Sequence, residues 1–163
     1  MLRCARMSLL FSSRRVVVLG STLFALGLWL VDGARVTAGH AASSMAVREH
    51  VTLKLVKRTG STGFQHAGRA TGTVSGSVRS RITLTHSVVL RGTVTITTSR
   101  GNLRLKIDGR ARSIGLRSRF SGSATIDGGS GRYADAKGSG TFSGVVNRST
   151  WAATLDASGS LRS

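Results

Sequence analysis

From His50 to the C-terminus, apolar and polar side chains alternate with a period of two, the signature of strands with one buried face. Val51, Leu53 and Leu55 interleave with Thr52, Lys54 and Val56. The stretch 59–68, which carries Phe64 and His66, breaks the alternation and reads as a loop. Beyond it, Val74, Val78, Ile82 and Leu84 share one parity, with Thr73, Arg79, Arg81 and Thr83 on the other. Leu90, Val94 and Ile96 oppose Arg91, Thr93, Thr95 and Thr97, and the tight turn Arg100-Gly101-Asn102 follows. Leu103, Leu105 and Ile107 then oppose Arg104, Lys106 and Asp108. Ile114, Leu116, Phe120, Ala124 and Ile126 form the next inward set, against Arg117, Arg119 and Thr125. Phe142 and Val146 share a face with Gly138, Gly140 and Gly144, and Trp151, Ala153, Leu155, Ala157 and Leu161 complete the series.

The expected fold is all-β: about eight antiparallel strands in an up-and-down barrel, with a flattened sandwich as the alternative. A closed barrel leaves no unpaired edge to aggregate. Glycines inside the strands suit the sharp coiling of a small barrel. Proline is absent, so no ladder donor is missing anywhere. A short internal echo, Gly72-Thr-Val-Ser-Gly76 and Gly140-Thr-Phe-Ser-Gly144, is consistent with a regular sheet. A membrane-spanning barrel would alternate too, but it would carry aromatic girdles that this chain lacks.

Residues 1–41 read as a signal peptide in helical form, 42–49 as a linker and 50–163 as the barrel domain. Arg3, Arg6, Arg14 and Arg15 precede the apolar run Val16–Val31, which is short for a permanent membrane span. Small residues allow cleavage after Ala38 or Ala41; an uncleaved anchor is the alternative. Ser13-Arg14-Arg15-Val16 resembles a twin-arginine export signal, or is an ordinary basic segment that contains an arginine pair. Either way the expectation is export, to the cell envelope or beyond. The one cysteine, Cys4, lies in this leader, so the barrel has no disulfide, thiol nucleophile or cysteine metal site.

Charge narrows the partners. The whole chain carries a formal net charge of +18. Without residues 1–41, 19 bases stand against 5 acids, a net charge of +14. Such a field favours anionic partners. Arg79, Arg81, Arg91, Arg104, Lys106, Arg117 and Arg119 fall on the polar parity and form a candidate anion-binding surface. The bases are spread along the strands and few aromatics interleave with them, which argues against nucleic acid. The expected partner is a small apolar ligand inside the barrel or an anionic envelope polymer outside it. Membrane contact is expected only through an uncleaved leader.

Gly128-Gly-Ser-Gly-Arg-Tyr133-Ala-Asp-Ala-Lys-Gly138 joins two strands through a glycine-dense corner. This segment, with its flanks from Ala124 to about Gly144, resembles the corner of the allene oxide cyclase and dirigent barrel superfamily, with Ser130 in place of the usual Thr and Arg132 before the aromatic Tyr133. The resemblance implies an eight-stranded barrel. It also implies, as an alternative function, a cyclase or isomerase acting on an apolar molecule. The match covers the structural corner and no active-site position of the family, so it supplies no catalytic residue.

Among the side chains, Phe64, His66, His86, Tyr133 and Trp151 are the ligand-binding candidates. His86 has the parity of Ile82 and Leu84, and His66 stands beside Phe64 where a loop could cover the barrel mouth. Tyr133 and Trp151 combine stacking area with one donor each, and serve equally as core anchors. Asp127 and Asp135 flank the corner, where turn chemistry accounts for them. Histidine and acid spacings suggest no metal, no cofactor is indicated, and no serine sits in a Gly-x-Ser-x-Gly elbow or phosphate-loop pattern.

Overall fold

The computed structural model describes residues 44–162. The expected signal peptide, its helix and its cleavage sites lie outside the described residues. Eight strands follow one another round a closed barrel, each antiparallel to its neighbours: β1 (Ser44–Thr59), β2 (Gly63–Gly72), β3 (Gly76–Thr85), β4 (Val89–Thr98), β5 (Gly101–Ala111), β6 (Arg117–Gly129), β7 (Lys137–Asn147) and β8 (Ala153–Arg162). Closure is made by β1 on β8, in register from Ser44 opposite Arg162 to Leu53 opposite Ala153. No strand is left with a free edge, which removes the main aggregation hazard of a sheet.

Two boundaries differ from the sequence reading. Residues 44–49, expected as a linker, are the start of β1 and pair with β8. The expected loop 59–68 is mostly strand: β2 begins at Gly63 and buries Phe64 and His66. The alternation is hard to see there because the inward row runs Phe64, His66, Gly68, Ala70, mixing an aromatic, an imidazole and two residues with little or no side chain. The chain turns at 60–62, inside the expected loop, and again at 73–75, whose Val74 folds inward and is 2% exposed.

Period-two burial places Val51, Leu53, Val78, Ile96, Leu103, Phe120, Ile126, Phe142 and Leu161 in one central core. The arginine-bearing parity faces outward, the reverse of a lipid-facing barrel. Gly109 and Gly122 stand opposite each other on β5 and β6, and the Phe142 ring lies over them. A Cβ on Gly122 would come 2.8 Å from that ring and 2.2 Å from the Asp108 carbonyl oxygen, so the ring and the bare glycine pair fit as one unit.

The barrel has two ends. One carries the β1–β2, β3–β4, β5–β6 and β7–β8 loops; the other carries the remaining turns, the corner and both ends of the described chain. At the corner a 3₁₀ turn, Gly131–Tyr133, brings Tyr133 and Ala136 into the core. Gly131 (φ 60°) supplies the left-handed backbone, and the Ser130 carbonyl packs so tightly on Gly101 that no Cβ fits between them.

Candidate functional site

The inward rows enclose an apolar cavity of about 170 Å³. Val94, Leu105, Ile107, Ala124, Val146 and Leu155 are among the side chains that line it. An eight-stranded barrel is the size at which side chains either fill the interior or leave room for one small molecule. Three ionisable groups, Glu49, His66 and Arg148, line this greasy space, and the buried Arg148 Nε has no hydrogen-bond partner.

Glu49 belongs to the inward row Val47, Glu49, Val51, Leu53 of β1. It is 7% exposed. Its Oε1 accepts a hydrogen bond from the Val74 backbone N–H, and its buried Oε2 has no hydrogen-bond partner. Burial pushes the carboxyl pKa up from 4.5, an effect partly offset by the Val74 and Thr73 N–H groups. A raised pKa lets this group hold its proton closer to neutrality than an exposed carboxyl would.

His66 sits toward the other end, under the β7–β8 loop. Its Nε2 lies 3.1 Å from the Trp151 carbonyl oxygen. A carbonyl can only accept, so Nε2 carries the proton. Nδ1 is then the acceptor and faces the Ser80 hydroxyl at 3.4 Å. Burial pushes the imidazole pKa down from 6.5, against the Trp151 carbonyl, which favours the charged ring.

Trp151 lies across the mouth. Its indole stacks on Phe64, with ring centroids 4.1 Å apart, and the Arg58 guanidinium lies over both rings at 5.4 and 5.5 Å. Arg58 reaches this position because β1 carries a bulge between Leu55 and Lys57. The extra residue reverses the parity and turns Arg58 over the opening. The Trp151 backbone is left-handed (φ 56°), a costly state for a bulky residue that surrounding contacts must enforce. Arg148 completes the cover. Its Nη2 donates to the Ser87 carbonyl at 3.0 Å, and its backbone N–H to Leu116 at 2.8 Å. The β3–β4 turn and the β7–β8 loop are four strands apart round the ring, so this side chain spans the mouth. Residues 148–152 thus form a lid held from β1, β2, β3–β4 and β5–β6.

The structure therefore brings together three of the five ligand-binding candidates, Phe64, His66 and Trp151. His86 does not join them: it is exposed in the β3–β4 turn, where His86 and Ser87 both adopt left-handed backbone (φ 50° and 58°) and end the alternation before the imidazole can point inward. Tyr133 is a buried core anchor at the corner and is absent from the cavity wall. Ile114 and Leu116, expected inward, are exposed in the β5–β6 loop. Glu49, Arg58 and Arg148 were not among the candidates. Parity signals two of them: Glu49 continues the odd-numbered row of Val51 and Leu53, and Arg148 the even-numbered row of Phe142 and Val146. Among the described residues no cluster of metal-ligating side chains is found.

Outside, all seven candidate anion-binding residues are exposed. Pairing of β3, β4 and β5 sets Arg79, Arg81, Arg91, Arg104 and Lys106 into neighbouring rows of one face, gathering bases that are scattered in sequence. Acids temper that face. Asp108 accepts from Arg91 at 2.8 Å, and Asp127 takes Lys106 at 2.8 Å and Arg104 at 3.5 Å. The Lys106 hydrogen bond is the main reason the Asp127 carboxyl pKa lies below 3.8. Arg117 and Arg119 stand apart from this patch, at the lid end of β6. No family model matches this chain, and neither curated proteins nor solved structures give a match to it.

Proposed function

We propose that the domain is an exported, non-catalytic binding module that holds one small apolar molecule inside its barrel. The observation that carries this reading is the 170 Å³ apolar cavity beneath a loop latched across its mouth. An apolar cavity of about 150 Å³ is large enough for a benzene ring and stays dry when empty. The ligand class is therefore a single ring or a short branched chain, bound by burial and with few polar contacts to satisfy. The basic leader and its apolar run support the exported location.

The test is calorimetric titration of the full chain with p-xylene. Saturable binding is expected. Ala124→Leu, which adds a side chain to the cavity wall, should weaken binding tenfold or more while the circular dichroism is unchanged. Absence of saturable binding, or binding indifferent to Ala124→Leu, would reject the reading.

One observation favours the cyclase or isomerase alternative suggested by the corner: Glu49 places a proton-holding carboxyl in the same cavity. That chemistry requires a bound substrate to present an atom to the carboxyl. Turnover that Glu49→Gln abolishes, with binding retained, would mark the enzyme.

A further inference from the structure

We infer that the lid end of the barrel is a docking surface for an anionic lipid bilayer. Four large apolar side chains are exposed among the described residues, and three of them, Val56 (67%), Ile114 (71%) and Leu116 (67%), belong to this end. Ile114 and Leu116 flank Gly115 in the five-residue β5–β6 loop. A Cβ on Gly115 would meet nothing within 4 Å, so the loop tip stands clear of the barrel. These residues sit in a basic collar: Lys57 and Arg58 follow Val56, and Arg110, Arg112, Arg117 and Arg119 bracket the loop. The four loops of this end, with three strand residues on each side of them, contain no carboxylate. Asp108 and Asp156 lie one residue further from the rim, as Val56 does, and each already has a partner, Arg91 and His50.

Aliphatic side chains ringed by arginines fit the boundary between acyl chains and phosphate headgroups. There the tips enter the apolar layer and the guanidinium groups stay with the phosphates. A soluble polyanion would engage the arginines but leave the aliphatic tips in water. The surface also touches the lid, because the Leu116 carbonyl accepts the Arg148 backbone N–H. A bilayer seated here would therefore face the mouth of the barrel, and an apolar molecule could pass between acyl layer and cavity without crossing water. The docking itself stands whether or not the cavity holds a ligand. It moves membrane contact from the leader, where the sequence put it, to the folded domain.

The experiment uses the full chain with Cys4→Ser, labelled with an environment-sensitive nitrobenzoxadiazole dye at Ile114→Cys or, as a far-end control, at Ser99→Cys. Because the dye reports its own surroundings, binding through residues 1–41 does not mimic the result. With vesicles of phosphatidylglycerol and phosphatidylcholine, emission from position 114 should rise severalfold and shift to the blue. Position 99 should change little, and pure phosphatidylcholine should have little effect. Leu116→Asp should abolish the response at 114, and raised salt should weaken it. No change at 114, equal change at 114 and 99, or a response indifferent to Leu116→Asp would overturn the inference. So would a response at 114 to soluble polyphosphate but not to vesicles, which would assign the collar to a polymer instead.

Discussion

At the scale of single residues, Glu49 is the least expected feature of the barrel. A carboxyl with one bonded and one unpartnered oxygen in an apolar row opposes folding when ionised. Because its folded pKa is raised, its contribution to stability is fullest below 4.5, the unfolded reference, and is lost as pH rises through the folded value. Glu49→Gln keeps an acceptor for Val74 and removes the charge. The variant should melt several degrees above the parent at pH 8 and show no such gain at pH 4, as measured by thermal denaturation across that range; an ordinary ΔΔG of about 1 kcal/mol moves the midpoint of a domain this size by about 4 °C. A gain that persists at pH 4 would mean that charge is not the cause. The sequence shows Glu49 by parity alone, since it lies in step with Val51 and Leu53. What it hides is the inward fold of Val74, a turn residue whose N–H makes the burial tolerable.

Among the elements, the β7–β8 loop decides access to the interior. Its Trp151 keeps a left-handed backbone at a cost on the order of 1–3 kcal/mol. Against this stand the Phe64 stack, about 0.5–1.5 kcal/mol, and the Arg58 cation–π contacts, about 0.5–1 kcal/mol. The terms are of similar size, so the His66 bond to the Trp151 carbonyl weighs in the balance. His66 has a depressed folded pKa, so the stability it gives is present above 6.5 and is lost as pH falls through the folded value. Protonation keeps the Nε2–H bond to the carbonyl but charges a buried ring that opening of the lid would hydrate. Amide hydrogen exchange in residues 148–152 should therefore quicken as pH falls below 6.5, after correction for intrinsic rates. His66→Gln, which still presents a donor to the carbonyl, should remove that acceleration. An unchanged pH profile in the variant would disconnect His66 from the lid. The chain marks Phe64, His66 and Trp151 as candidates near a barrel mouth but shows neither the stack nor the latch, since Phe64 and His66 look like loop residues and Trp151 like the start of a strand. The β1 bulge that delivers Arg58 falls at Leu55-Val56-Lys57, and its one sequence mark is the pair of adjacent apolar residues that interrupts the alternation.

For the whole molecule, charge is the dominant property. Most of the bases are arginines on the outer face, and the β3–β4–β5 rows concentrate five of them. Arg91, Arg104 and Lys106 of that group already meet carboxylates, which leaves Arg79 and Arg81 the better placed for an anionic polymer. The full chain should be retained on an immobilised polyanion and elute only above about 0.2 M salt, where screening shortens the reach of exposed charges to less than about 8 Å. The double variant Arg79→Glu, Arg81→Glu should elute markedly earlier on the same gradient. Equal elution of parent and variant would reduce the patch to a solvated surface.

The sequence by itself determined the all-β class, an approximate count of about eight strands, most of the inward apolar rows and the outward arginines, because side-chain direction in a strand follows a period of two whatever the partner strand. It also marked the glycine corner, where backbone conformation is a local matter. Only the tertiary structure decided that the sheet closes on β8, that the interior keeps a cavity, and that a loop from the far side of the ring covers it. Those outcomes depend on register, on one bulge and on which side chains meet across strands distant in sequence, and a single chain's alternation holds no record of them. The same holds for the lid-end rim. Ile114 and Leu116 carry the parity of core residues, and only the loop that lifts them out of the ladder turns them toward a partner.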